Sequence, residues 1–155
     1  MGTTTLEYIA GFLDGDGSIF FQIVKTKNLH NPFRIRGSVL FSQKRENARI
    51  LEHLYQYFGV GYIRHRKTGV SDYTVVEPKE VERLLTDLRP YLFLKKKHAD
   101  LGLEILQRLK TQRDLNDFLE ICKLVDHFGK LNYSKKRTIT SKTVEDFFQR
   151  NIVPL

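Results

Sequence analysis

The chain has 155 residues, 41% hydrophobic and 12% aromatic, which supplies a packed core and excludes a disordered chain. Its single cysteine, Cys122, excludes an internal disulfide framework and points to a reducing compartment. Net charge is +8, and it is local: residues 24–67 hold ten Lys or Arg against Glu46 and Glu52, while the remainder carries sixteen of each sign. A surface that faces a polyanion is the expectation.

Residues 5–14 read as a short helix with Leu6, Ile9, Ala10 and Leu13 on one side. The stretch from Ser18 to Lys27 alternates, with Ile19, Phe21 and Ile23 on one face and Ser18, Phe20, Gln22, Val24 and Thr26 on the other, and so predicts a strand. After the turn residues "KNLHNP", residues 33–44 alternate again. Arg34, Arg36, Ser38, Leu40 and Ser42 share one face; Ile35, Val39 and Phe41 share the other. The two segments predict an antiparallel ribbon with an apolar face and a polar, basic face. "RENARILEHLYQYFG" predicts a helix with Ile50, Leu51, Leu54, Tyr57 and Phe58 inward and Gly59 as its stop. "VGYIRHR" and "SDYTVV" predict strands around the turn "KTG". Four more helices follow: one opened by Pro78, one in "KKHADLGLEILQRL", one capped by Asn116 that buries Cys122, and one over "SKTVEDFFQR". The fold class is α+β in a single domain of residues 1–155, a four-stranded antiparallel sheet backed by helices.

Chain dimensions suggest the partner. The second strand, at roughly 3.3 Å per residue, spans about 40 Å, the rise of about ten base pairs of duplex DNA. A two-stranded ribbon fits the major groove, where Arg34 and Arg36 suit guanine, Gln22 suits adenine, and Val24 or Leu40 suit thymine methyls.

"YIAGFLDGDG" is the segment that carries chemistry. Carboxylates disfavour the negative end of a helix dipole, yet Asp14 and Asp16 stand there among glycines. Gly11 and Gly15, four residues apart, share a helical face that could receive a second, identical helix. A two-fold dimer would then bring two Asp16 carboxylates together, and a hard divalent cation such as magnesium would relieve their repulsion. The same four residues also fit a plain turn. An EF-hand loop is excluded, because the sixth position from Asp14 is Ile19 and the twelfth is Lys25.

"YIAGFLDGDGSI" resembles the signature of the LAGLIDADG homing endonucleases. "FSQK", "GVGYIRHR…SDY", "LRPYLFLKKKHADL" and "FLEICKLVD" are similar, in the same order, to the single-motif enzymes encoded in organellar introns. The resemblance implies an αββαββα core with extra C-terminal helices, a homodimer, and site-specific double-strand cleavage of a long pseudo-palindromic DNA. It implies Mg2+ as cofactor, with Mn2+ substituting and Ca2+ binding without turnover. It makes Asp16 a catalytic metal ligand beside the Gly15 carbonyl, Gln43 an orderer of active-site water, and Lys95, with Lys97 close by, a polarising group. Asp14 is implied to be structural, at a dimer interface with Ala10, Gly11 and Leu13. The pattern departs at Asn47, where a basic residue is expected; Arg45 and Arg49 flank it.

The implied base-reading face adds Tyr62, Arg64, Arg66, Asp72 and Thr74 to Gln22, Val24, Thr26, Arg34, Arg36, Ser38 and Leu40, with Asn28 and His30 at the ribbon tip. Asp72 beside Arg64 and Arg66 can orient an arginine. Lys135 and Arg137 resemble residues that hold flanking phosphates. Two other functions share the implied fold: an RNA maturase with intron RNA as partner, and a DNA-binding regulator lacking the catalytic acid. The intact Asp16, Gln43 and Lys95 favour cleavage. The opening residues show no basic segment before an apolar run, so no membrane partner is expected. The expected location is intracellular, in an organelle such as a chloroplast or mitochondrion, or in a bacterial-type cytoplasm.

Overall fold

In the computed structural model, which describes residues 4–133 and 137–151, the order of elements follows the sequence pattern closely. Helix α1 covers Leu6–Asp16, two residues longer than its apolar periodicity indicates. The Thr5 side chain accepts from the Tyr8 N–H at its start, and Gly17 closes its end. Strands β1 (Gly17–Lys25) and β2 (Phe33–Lys44) form the ribbon. A 3-10 turn (Arg45–Asn47) leads into α2 (Arg49–Phe58), which ends at Gly59 in the left-handed region (φ 71°). Strands β3 (Tyr62–His65) and β4 (Val70–Val75) follow, then α3 (Pro78–Leu88), a 3-10 turn (Arg89–Tyr91), α4 (Lys96–Thr111), α5 (Leu115–Leu131) and α6 (Ser141–Arg150).

The four strands form one antiparallel sheet in the order β1-β2-β4-β3. In β2 and β4, Leu40 faces Thr74, Ser42 faces Asp72 and Gln43 faces Ser71; across β4 and β3, Asp72 faces Arg64 and Ser71 faces His65. The chain divides into two compact units, Met1–Phe20 with Gly37–Leu103 and Phe21–Arg36 with Glu104–Leu155, and the boundary passes through β1, β2 and α4.

In the first unit, Ile9, Ala10 and Leu13 of α1 are fully buried, as are Ile19, Val39, Phe41, Tyr73 and the α2 and α3 leucines 51, 54, 84, 85 and 88. The rings of Phe41 and Tyr73 stack with centroids 5.9 Å apart. In the second unit the buried side chains are Phe21, Ile23, Phe33 and Ile35 of the ribbon with Phe118, Ile121, Cys122, Val125, Phe128 and Val144 of the helices. Phe21 stacks on Phe128 at 5.1 Å, and Phe33 meets Phe147 edge-on at 5.5 Å.

Two local expectations are corrected. Tyr57 is 47% exposed, because an inward stripe on a ten-residue helix admits only Leu51, Leu54 and Phe58. The N-cap of α5 is Asp114, whose side chain accepts from Asp117 N–H, and Asn116 lies inside the first turn. Among the described residues no helix is long and apolar enough to cross a membrane.

Candidate active site and nucleic-acid interface

The helix end is built by a close approach. A Cβ on Gly17 would stand 2.6 Å from Leu13 Cδ1 and 2.7 Å from the Leu40 carbonyl, so only glycine lets α1 run directly into β1. That junction leaves Asp16 as the last helical residue, exposed to solvent. Gln43 Nε2 donates to Asp16 Oδ2 at 3.0 Å. Gln43 is half-buried and engaged with a carboxylate, so its place on the apolar side of β2 is not that of an ordinary core amide.

Asp14 points the other way. Its Oδ2 accepts from the Phe93 backbone N–H at 2.7 Å and its Oδ1 from the Lys95 N–H at 3.0 Å. Lys95 Nζ donates to the Asp14 carbonyl at 2.8 Å. The carboxylate at the negative end of α1 therefore stands just before the positive end of α4, where a negative charge is favoured. Burial lowers the Lys95 pKa below the ordinary lysine value, and the charges of Asp14 and Asp16 oppose that shift.

Oxygen donors suit a hard divalent ion. Asp16 supplies an exposed carboxylate, and Gly15 lies in the last turn of α1, where carbonyls have no helical partner. The donor set fits magnesium, and one chain offers only part of a coordination shell. Among the described residues no three His, Cys, Asp or Glu side chains form a metal-holding group.

On the polar face of the sheet, the Asp72 carboxylate is the organising group. Arg66 Nη2 donates to Oδ1 at 3.0 Å, Arg66 Nε lies 2.8 Å from Oδ2, and Ser42 Oγ donates to Oδ1 at 2.6 Å. Asp72, expected on the base-reading face, is only 5% exposed, and its carboxylate orients the Arg66 guanidinium. Arg64 and Tyr62 are exposed and Leu40 is half-buried. In the second unit Arg34 is exposed, and Gln22, Val24 and Arg36 are half-buried. Thr26 and Asn28 shape the ribbon tip: Thr26 Oγ1 accepts from the Asn28 N–H, and Asn28 Oδ1 from the N–H groups of His30 and Asn31. His30 is exposed there.

Three groups of expected site residues are placed differently. Ser38 and Thr74, at 2% and 7% exposure, are buried within the chain, where their short side chains do not reach past their longer neighbours to the surface. Ala10 and Leu13 are fully buried in the core, so the open face of α1 is carried by Tyr8, Gly11 and Gly15. Arg137 does not present its guanidinium outward: Nη1 donates to the Val125 carbonyl at 3.2 Å and Nη2 to the Phe21 carbonyl at 2.7 Å, and burial lowers its pKa. Lys135 lies outside the described residues. The clamp of Asp14 on residues 93–95 was not foreseen; its two partners lie 79 and 81 residues away, and no local pattern signals them.

Residues 9–105 match the family described as LAGLIDADG endonuclease. The chain belongs to the LAGLIDADG endonuclease family. It is 41% identical over 140 residues to the DNA endonuclease I-CreI of Chlamydomonas reinhardtii, covering 90% of this chain and 85% of that one. It is 33% identical over 143 residues to the DNA endonuclease I-CvuI of Chlorella vulgaris, covering 92% and 89%. A crystal structure of I-CvuI in complex with its target in the presence of 2 mM Ca superposes with a TM-score of 0.88 at 32% identity, over 94% of this chain and 92% of that chain. The LAGLIDADG signature thus falls on α1, and its two acids are Asp14 and Asp16.

Proposed function

We propose that this LAGLIDADG protein is a site-specific homing endonuclease that makes a double-strand break in a long pseudo-palindromic DNA. The observation that carries the reading is the Asp16 carboxylate, exposed at the end of α1, held by Gln43 and flanked by the half-buried Lys95. The protein acts as a homodimer in which two copies of α1 pair along the Gly11–Gly15 face, giving one active site per subunit and about twenty base pairs of near-symmetric target. Each subunit lays the polar face of its sheet in the major groove over one half-site.

Asp16 and the Gly15 carbonyl would hold Mg2+, which supplies charge neutralisation at the scissile phosphate and an activated water. Mn2+ would substitute, and Ca2+ would support binding without turnover. Gln43 fixes the Asp16 carboxylate and leaves its own amide oxygen to orient water. Lys95 places a positive charge beside the reacting phosphate. Arg66, locked by Asp72, reads a base edge through a pre-set guanidinium fork. A reducing compartment that holds the target DNA is the setting the unpaired cysteine fits.

The test is selection of cleaved sites from a randomised duplex pool with Mg2+, with Asp16→Asn run in parallel. The expected product is a long, nearly two-fold symmetric sequence, absent from the variant. The variant should bind that sequence in Ca2+ within about tenfold of the parent, because Asp16 makes no base contact. Undiminished cutting by Asp16→Asn overturns the site.

A further inference from the structure

We propose that Asp14 is a positioning residue for strand cleavage that sets Lys95 in the active site. The inference rests on the endonuclease reading and extends it to a residue whose family resemblance implies only a structural part.

Three hydrogen bonds join Asp14 to one short segment. The carboxylate takes the backbone N–H groups of Phe93 and Lys95, one on each oxygen, and the Asp14 carbonyl takes Lys95 Nζ. The N–H and the side chain of Lys95 are therefore tied to a single residue, two positions before Asp16, while its carbonyl accepts from the Ala99 N–H of α4. A lysine has four rotatable side-chain bonds and loses on the order of 2 kcal/mol of rotamer entropy when it is fixed. A lysine held only at its Cα would sample the pocket. Here the ammonium has a fixed acceptor, and the backbone from which it extends has a fixed anchor.

The surroundings show that this anchor is local. Leu92, 2% exposed, anchors the chain just before the segment, while Phe93 and Leu94 are 90% and 74% exposed and add no packing of their own. Asp14 itself is half-buried, and the α1 face beside it contributes Gly11 and Gly15, which touch nothing within 4 Å of an added Cβ. The Asp14 oxygens thus hold the N–H groups of Phe93 and Lys95 against α1. Lys95 feels both carboxylates, Asp14 and Asp16, which places its charge in the field of the catalytic end of the helix. A displacement of about 1 Å at such a group can cost roughly 10²-fold in rate.

A residue that works only through Lys95 has a distinct signature in a double-mutant cycle. The experiment measures single-turnover cleavage of the selected duplex at saturating protein with Mg2+, and duplex affinity with Ca2+, for the parent, Asp14→Asn, Lys95→Met and the double variant. Asparagine keeps the shape but accepts only one of the two N–H groups. Asp14→Asn is expected to cleave about 10- to 100-fold more slowly with affinity within about threefold. In the Lys95→Met background the same change is expected to alter the rate by less than about twofold. Equal losses in both backgrounds overturn the proposal and make Asp14 a scaffold residue. A parent rate from Asp14→Asn overturns it as well. Asp14→Ser, which keeps one acceptor on a shorter arm, is run through the same cycle if Asp14→Asn does not fold, and is read by the same criteria. A parent that binds the duplex without cutting it fails the endonuclease reading itself, and Lys95→Met then has no rate to lower, so the two failures are told apart.

Discussion

At the scale of single residues, Asp14 shows how a local penalty is reversed by a distant contact. A carboxylate at a helix C-terminus costs roughly 0.3–1 kcal/mol. Each hydrogen bond to a charged group contributes about 1.5–3 kcal/mol, and Asp14 makes two through its carboxylate, so the tertiary gain exceeds the helix-end cost. Cys122 is the opposite kind of residue, with no polar task. Burial pushes its thiol from the ordinary 9.0 up to about 12, with the Asp126 charge adding to the shift. Only the thiolate is nucleophilic, so the native protein should resist thiol reagents at pH 8 and react only on unfolding. The stability consequence has a definite sign. Below pH 9 the thiol is neutral in both states and its contribution is full; as pH rises from about 9 toward 12 the unfolded thiol ionises first, and stability is lost. Urea unfolding at pH 8 and pH 10.5 should show a larger alkaline loss for the parent than for Cys122→Ala. Tyr73, whose pKa is also raised by burial, is present in both and cancels in the comparison.

At the scale of elements, α1 carries two glycines that its own protomer does not require. Gly11 and Gly15 meet nothing within 4 Å of an added Cβ, and each costs roughly 1 kcal/mol relative to alanine inside a helix. Gly17 differs, since its close approach to Leu13 and Leu40 is needed for the fold of one chain. Helices of which one face is kept free of side chains can approach closely, and the dimer proposed above supplies the partner. Gly11→Leu should therefore leave the melting temperature of the single chain unchanged or higher. It should also shift the sedimenting species from dimer to monomer and abolish cleavage. A Gly11→Leu protein that remains dimeric and active would refute the paired-helix arrangement. The start of α6 is set by side chains instead: Asp126 accepts from Ser141 N–H at 3.1 Å and from Ser141 Oγ at 2.5 Å, which fixes where α6 begins.

At the scale of the whole molecule, charge determines the partner and the conditions under which it binds. Because the excess of +8 sits in residues 24–67, phosphate neutralisation by those side chains should dominate affinity. About six phosphate contacts would lose about 10³-fold in affinity between 50 and 200 mM salt. A titration of duplex affinity against salt in Ca2+ should therefore be steep, and a slope near −1 in log–log form would show that the basic segment does not face the backbone. Arg137, outside that segment and expected to hold a flanking phosphate, donates instead to two backbone carbonyls.

The sequence by itself determined the order of elements, the two faces of the ribbon and the helix-end location of Asp16, because these follow from periods of 2 and 3.6 and from turn residues within a few positions of one another. The same local information placed Gly59 at a helix stop and Asp72 beside Arg66. It misplaced Tyr57 and Asn116, because which side of an amphipathic helix is innermost, and which of two neighbouring polar residues caps it, depend on what packs there. Only the tertiary structure decided that Gln43 reaches Asp16, that Arg137 is spent on backbone carbonyls, and that Asp14 clamps the segment carrying Lys95. Those contacts join residues 12 to 116 positions apart, and hydrogen bonds over such distances exist only once burial has brought the elements together.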